Sequence, residues 1–275
     1  MIFKYKGYDI FYEIEGKYSP SKDIIVILNG IMMSTASWAV FMPAFTKKNV
    51  LLRFDMVDQG QSSKATEPYT QELQVDLLEA LLSHLGYKKV NLVGISYGAS
   101  VALQFAIKYP HYVKKLVIAN GVSKTSKWLK AIGHGWNEVG KSRNGLAYYN
   151  ISIPYIYSPN FYSSNIEWME NRKQMLVPLF SDPVFLDSME RLTNSAETHD
   201  TVDQLHQLKC KTLIISGELD YLTPMFEQEF LHQNIKHSTH VIIPGCGHAS
   251  MYEEPELFTQ FVLGFINATH IPKII

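Results

Sequence analysis

The sequence predicts an α/β fold: a mostly parallel, eight-stranded sheet flanked by helices, with a helical cap inserted after the sixth strand. Three observations predict it. Short apolar, β-branched runs recur along the chain, each followed by a stretch of helical periodicity. The runs are mostly apolar on both faces, as strands covered by helices on either side must be. One interval, residues 122–209, is far longer than a crossover between parallel strands requires.

The opening "FKYKGYDIFYEIEG" reads as an antiparallel hairpin on the sheet edge. Six further strands follow: "DIIVILNG" (23–30), "VLLRFD" (50–55), "VNLVGIS" (90–96), "KKLVIAN" (114–120), "KTLIISG" (211–217) and "HVIIPG" (240–245). Between the second and third of these, "TQELQVDLLEALLSHLG" (70–86) puts Leu73, Leu77, Leu81 and Leu85 on one helical face, and Gly86 supplies the stop. A second helix runs from Tyr97 to about Tyr109, halted before Pro110, and a third follows Pro255. The long interval holds several helical stretches with turn signals at Pro154, Pro159, Pro178 and Pro183. The expected organisation is a core of residues 1–121 and 210–275, with 122–209 folded over it as a lid.

Charge and composition narrow the function. Lysine plus arginine number 25 against 26 acidic residues, a net charge of -1, so no basic field exists to concentrate nucleic acid or anionic lipid. The N-terminal stretch lacks the apolar core of a signal peptide, and no run is long enough to span a bilayer. Cys210 and Cys246 are too few for a disulfide scaffold and lack metal-ligand spacing. The expectation is a cytoplasmic protein with a small-molecule substrate and no nucleic-acid partner, with Cys246 a buried filler.

The chemistry centres on "NLVGISYGASVAL" (91–103), where Ser96 lies between Gly94 and Gly98 at a strand-to-helix turn. A tight turn there strains the backbone and lifts the hydroxyl above the carboxyl edge of the sheet. A Cβ at Gly94 or Gly98 would collide with the neighbouring strand or helix. A serine needs a base. Of ten histidines, His248 differs in following a strand, in the small-residue loop "GCGHAS" on the same sheet edge as Ser96. The base needs an orienting carboxylate. Asp220, in the loop after "LIISG", is favoured over Glu218, which is placed to close the turn, while Asp200 and Asp203 read as helix-cap or surface residues. The oxyanion needs two donors. Tyr97 opens a helix with its N–H unsatisfied, and Gly30 frees the loop "NGIMMS" so that the N–H of Ile31, or of Met32 if the loop is shifted by one, points into the crevice.

These pieces together resemble the α/β-hydrolase superfamily: "NG" at 29–30, "DMVDQGQS" at 55–62, "GISYG" at 94–98, "SGELDYLTP" at 216–224 and "GCGH" at 245–248. The resemblance implies Ser96 as nucleophile, His248 as base, Asp220 as its partner, Ile31 and Tyr97 as oxyanion donors, and a lid at 122–209. Two departures stand out. Many relatives have His-Gly where this chain has Asn29-Gly30, and Asn29 either ties the oxyanion loop by hydrogen bonds or only forms a turn. The usual Arg-Gly-x-Gly loop becomes "DMVDQGQS", where Gly60 reads as a tight turn and Ser62 as a helix cap. "NGIMMSTAS" and "DQGQS" look somewhat like a branch handling 3-hydroxyacyl thioesters in rhamnolipid precursor synthesis, whose serine neighbourhood differs from this one.

The expected function is a carboxylesterase acting on esters of small to medium apolar acyl groups. The alternatives are an acyl-thioester hydrolase or acyltransferase, a carbon–carbon hydrolase, lyase or cofactor-free peroxidase, and a ligand sensor retaining the triad. A serine nucleophile argues against displacing halide or opening epoxides, which proceed through an aspartate ester. No metal and no organic cofactor is called for.

Overall fold

The computed structural model describes residues 1–17, 19 and 22–268. Eight strands form one sheet: β1 (Ile2–Tyr5), β2 (Tyr8–Glu15), β3 (Ile24–Leu28), β4 (Val50–Phe54), β5 (Val90–Ile95), β6 (Val113–Ala119), β7 (Lys211–Gly217) and β8 (Ser238–Ile243). Their spatial order is β1-β2-β4-β3-β5-β6-β7-β8. The β1–β2 hairpin pairs antiparallel with β4, and every other pairing is parallel. The last strand begins two residues before its apolar run. Ser238 and Thr239 continue the pairing with Thr212 and Leu213 although neither is strongly apolar, because an edge strand has only one neighbour to satisfy.

Helices cover both faces. On one side α2 (Glu72–His84), α3 (Tyr97–Lys108) and α9 (Met225–Asn234) bury Leu77, Leu81, Val101, Phe105 and Leu231 against the sheet. On the other, α1 (Met42–Thr46), α10 (Ser250–Glu253) and α11 (Pro255–Asn267) bury Phe45, Met251, Phe258 and Val262. Gly86 ends α2 at φ +69°, the left-handed conformation a glycine C′ residue takes without steric cost. The central strands β3, β4 and β5 are buried at every position, which is why their sequences lack alternation.

Between β6 and β7 lie five helices: α4 (Lys127–Lys141), α5 (Gly145–Ile156), α6 (Pro159–Ser164), α7 (Ile166–Leu179) and α8 (Pro183–Ser195). Ser126, Asn144, Ser158 and Asp182 each accept a backbone N–H at the start of one of them, so short polar side chains punctuate the segment. Pro159 and Pro183 stand at first helical positions, whereas Pro154 and Pro178 fall within the last turns of α5 and α7 rather than in loops. These helices share an apolar cluster of Trp136, Tyr148, Tyr149, Met169 and Phe180, which also takes in Leu222 and Ala249 of the loops after β7 and β8. The two ends of the segment meet: Lys124 and Asp200 form an antiparallel bridge, and Thr201 N–H donates to Ser123 O at 2.8 Å. On its far side, Arg191 of α8 grips the buried Asp58 carboxylate, with Nη2 at 2.7 Å and Nε at 3.0 Å. Among the described residues, no helix is long and apolar enough to cross a membrane.

Candidate active site

Ser96 occupies the step from β5 to α3 with φ 52° and ψ −115°. A non-glycine residue at such a φ is strained, and strain of this kind persists only where the surroundings enforce it. Here the enforcement is visible. Ser96 N–H donates to Ala119 O of the next strand at 2.9 Å, and its own carbonyl accepts from Ala99 N–H at 2.9 Å as the helix begins. A Cβ on Gly94 would lie 2.5 Å from Gly98 O, and one on Gly98 would drive into the carbonyl of Leu28. Both glycines are therefore required by close approach of backbone to backbone.

The loops after β7 and β8 bring two side chains to this serine. His248 Nε2 lies 2.8 Å from Ser96 Oγ, and His248 Nδ1 lies 2.8 Å from Asp220 Oδ2. The carboxylate can only accept, so Nδ1 carries the proton and Nε2 presents its lone pair to the hydroxyl. Asp220 and His248 are buried. Both carboxylate oxygens are occupied: Oδ1 accepts from the backbone N–H groups of Leu222 and Thr223 at 2.8 Å each, and Oδ2 accepts from Asn120 Nδ2 and Thr223 Oγ1 at 2.8 Å. Glu218 is elsewhere, accepting Gly245 N–H at 2.8 Å and closing the β8 turn. Asp200 accepts Val202 N–H at the start of a short 3-10 turn, and Asp203 lies in that turn.

Asn29 ties the β3 loop through its side chain. Its Nδ2 donates to Phe54 O at 3.0 Å and its Oδ1 accepts Trp38 Nε1–H at 2.9 Å. Gln59 completes the tie by donating to Gly30 O at 3.0 Å, and Asp55 accepts Thr35 N–H at 2.6 Å. Two expectations for this region change. Gly30 is outside the left-handed region, and the one tight contact of an added Cβ would be the flexible Met33 sulfur at 3.1 Å, with the Ile95 carbonyl at an ordinary 3.6 Å, so the loop path does not rest on glycine's backbone freedom. Ser62 caps no helix: it precedes α2 by ten residues, and its Oγ accepts Phe11 N–H while donating to Asp55 O. Gly60, at φ +38°, packs against the Asp55 carboxylate, as its turn requires.

Two chambers meet at Ser96, and Ile31, Trp136 and Leu222 line both. One, about 670 Å³, runs past Tyr97, Val122 and Leu129 beneath α4. The other, about 720 Å³, runs past His248, Met32, Ile153 and Arg172 beneath α5 and α7. Tyr97 keeps its phenol out of solvent by bonding Ser195 Oγ of α8 at 2.9 Å, and burial pushes that phenol's pKa up. Glu253 accepts from Gly247 N–H at 3.1 Å, Ser158 N–H at 2.9 Å and Ser158 Oγ at 2.6 Å, so one carboxylate pins the loop carrying His248 to the start of α6. Cys246, two residues from the histidine, is buried, and desolvation raises its thiol to about 12.

Sequence reasoning missed Asn120, Thr223 and Glu253. Asn120 did carry a signal: an asparagine closing a strand beside Gly121, in a residue type that tolerates the left-handed conformation it adopts at φ 50°. Thr223 and Glu253 carried none, because the contacts that tie them to other segments, Thr223 to Asn120 and His248 and Glu253 to Ser158, join residues distant along the chain.

Residues 23–255 match the family model of the alpha/beta hydrolase fold. Over its full length the chain is 60% identical to MGS-M2, an alpha/beta hydrolase enzyme from a Medee basin deep-sea metagenome library, whose crystal structure it covers completely with a TM-score of 0.98. A thermophilic esterase from Thermogutta terrifontis is 25% identical, with 98% of this chain and 97% of that one covered and a TM-score of 0.82. The proline iminopeptidase of Lactobacillus helveticus is 25% identical over 279 residues, covering 94% of each chain.

Proposed function

The chain belongs to the alpha/beta hydrolase family, and on that premise we propose that it is a serine hydrolase cleaving carboxylic esters of small to medium apolar acyl groups. The observation that carries this reading is the unbroken hydrogen-bond path from Ser96 Oγ through His248 to Asp220, with Ser96 at the junction of two mainly apolar chambers.

In this reading Ser96 Oγ attacks the substrate carbonyl carbon while His248 Nε2 takes the hydroxyl proton. The carbonyl oxygen becomes an oxyanion held by the N–H groups of Tyr97 and Ile31, donors whose removal costs about a hundred- to thousandfold in turnover when one is lost. Collapse of the tetrahedral species breaks the ester C–O bond, and His248 hands its proton to the departing alkoxide. Water then enters, gives a proton to Nε2, attacks the acyl-serine and releases the acid, returning the proton to Ser96. The leaving group must pass within reach of Nε2, so it occupies the chamber that His248 lines, and the acyl group takes the other. Asp220 fixes the tautomer throughout. Residues 122–209 act as the lid over a core of 1–121 and 210–275, and Asn29 and Gly30 support the oxyanion loop. The similarity to the Thermogutta esterase supports ester chemistry.

A series of p-nitrophenyl esters run beside acyl-coenzyme A thioesters, on the wild type and on Ser96→Ala, tests this. Steady turnover of short and medium esters that Ser96→Ala abolishes is expected. Preference for the thioesters would redirect the reading to a thioesterase, and a single slow turnover would redirect it to a sensor.

A further inference from the structure

Arg172, on α7, faces the chamber it shares with Ser96 and His248. Its guanidinium carbon stands 4.8 Å from the ring centre of Tyr252, 5.3 Å from that of Trp168 and 5.8 Å from that of Tyr157. Three aromatic faces hold the cation in place and shield it. They supply no hydrogen-bond acceptor, and the Nε–H is buried without a partner. Among the described residues Arg172 makes no ion pair: on its two packing segments Glu253 is hydrogen-bonded by Ser158 and Gly247, Glu170 pairs with Lys173, and Glu167 and Glu254 form no salt bridge with it. A second buried donor without a partner, Trp136 Nε1, belongs to a side chain lining the same chamber.

Buried donors are ordinarily satisfied, and a shielded cation needs a counter-charge. A planar fork of N–H groups matches a carboxylate in two parallel hydrogen bonds. We propose that Arg172 anchors a carboxylate carried by the leaving group of the substrate. The preferred esters are then those in which an apolar acid is joined to a hydroxy acid. This inference rests on the ester-hydrolase reading above. One cation balances one negative charge, so a monoanion is favoured over a phosphate dianion, and a substrate with a protonated amine in this chamber is rejected.

The test compares 3-phenylpropionate with its uncharged isostere 3-phenylpropionamide, titrated calorimetrically into the wild type, Arg172→Gln and Arg172→Lys. Wild type is expected to bind the carboxylate on the order of ten- to a hundredfold more tightly, the scale of a charged hydrogen-bonded pair. Arg172→Gln loses that preference, and Arg172→Lys, which keeps the charge without the fork, retains part of it. In turnover, butyryl glycolate should exceed its methyl ester in kcat/KM by a similar ratio, expressed mainly in KM, and the ratio should collapse in Arg172→Gln. Equal binding of the two probes by the wild type, a preference surviving in Arg172→Gln, or a preference only for hemiesters with the carboxylate on the acyl side overturns the proposal. Hydrolysis of p-nitrophenyl butyrate reports separately: if wild type does not turn it over, the ester reading fails, while the calorimetric pair still decides the role of Arg172.

Discussion

Asn120, held at φ 50° where β6 ends, donates its Nδ2–H to Asp220 Oδ2 at 2.8 Å and accepts Ser250 Oγ–H at 2.9 Å on its Oδ1. One side chain, on a residue in the left-handed backbone conformation, thus links the end of the strand beside Ser96 to the carboxylate and to α10, just beyond the histidine loop. Replacing Asn120 with alanine removes a hydrogen bond to a charged acceptor, worth about 1.5–3 kcal/mol. Steady-state kinetics should show kcat lower by roughly 10- to 100-fold with KM little changed. Asp220→Asn should cost more, roughly ten-thousandfold, because the amide admits the wrong histidine tautomer. Wild-type kcat in Asn120→Ala would remove it from the site.

Gly98→Ala places a methyl group against the backbone carbonyls of Leu28 and Asn29, the last residues before the β3 loop. Backbone cannot move aside as a flexible side chain can. Overpacking of this kind costs about 1–3 kcal/mol, and the displaced loop should also depress turnover of the fraction that remains folded. A urea titration alongside active-site titration checks both, and an unaltered denaturation midpoint would contradict the contact.

His199 joins the two ends of the inserted segment to α3. Its Nε2–H donates to Val122 O at 3.0 Å, and its Nδ1 accepts from Gln104 Nε2 at 3.1 Å, an amide oriented by donating to Gln71 Oε1 at 2.7 Å. Burial lowers the pKa of His199 below the ordinary histidine value of 6.5. The unfolded chain therefore binds a proton the folded one refuses, and stability is lost as pH falls through 6.5 toward the lowered value. His240 is lowered by burial as well and adds to the same slope. Melting temperature should fall between pH 7.5 and pH 5, and His199→Gln should flatten part of that decline. An identical slope in the variant would refute this role.

Cys246 is buried and its thiol is raised to about 12 by desolvation. A thiol of that kind supplies almost no thiolate at neutral pH. Iodoacetamide at pH 7.5 should leave turnover unchanged in the native protein and modify Cys246 only after denaturation, as peptide mass mapping would reveal. Rapid native-state alkylation with loss of activity would contradict its burial.

The residues of the candidate relay were legible because each is a local event at a strand end. Ser96, Asp220 and His248 follow β5, β7 and β8, and parallel strands deliver their ends to one rim whatever lies between. What holds them was not legible. Thr223 and Glu253 matter through partners such as His248 and Ser158, and no spacing along the chain announces those pairings. Ser62 shows the opposite failure. A serine just past a glycine turn suggests a cap, yet its hydroxyl accepts from the β2 backbone, and only the folded edge of the sheet reveals that. Arg172 is a common kind of helical cation in sequence, and its aromatic surround appears only when α7 packs over α10.

Reaction with an alkyl fluorophosphonate, read by intact mass and peptide mapping, probes the nucleophile most directly. One adduct on the peptide containing Ser96 is expected, forming in step with loss of ester turnover, and absent from both Ser96→Ala and His248→Ala, variants whose turnover should be lower by about a millionfold. An adduct on another residue, or no adduct in a protein that hydrolyses esters at full rate, would contradict Ser96 as the attacking group.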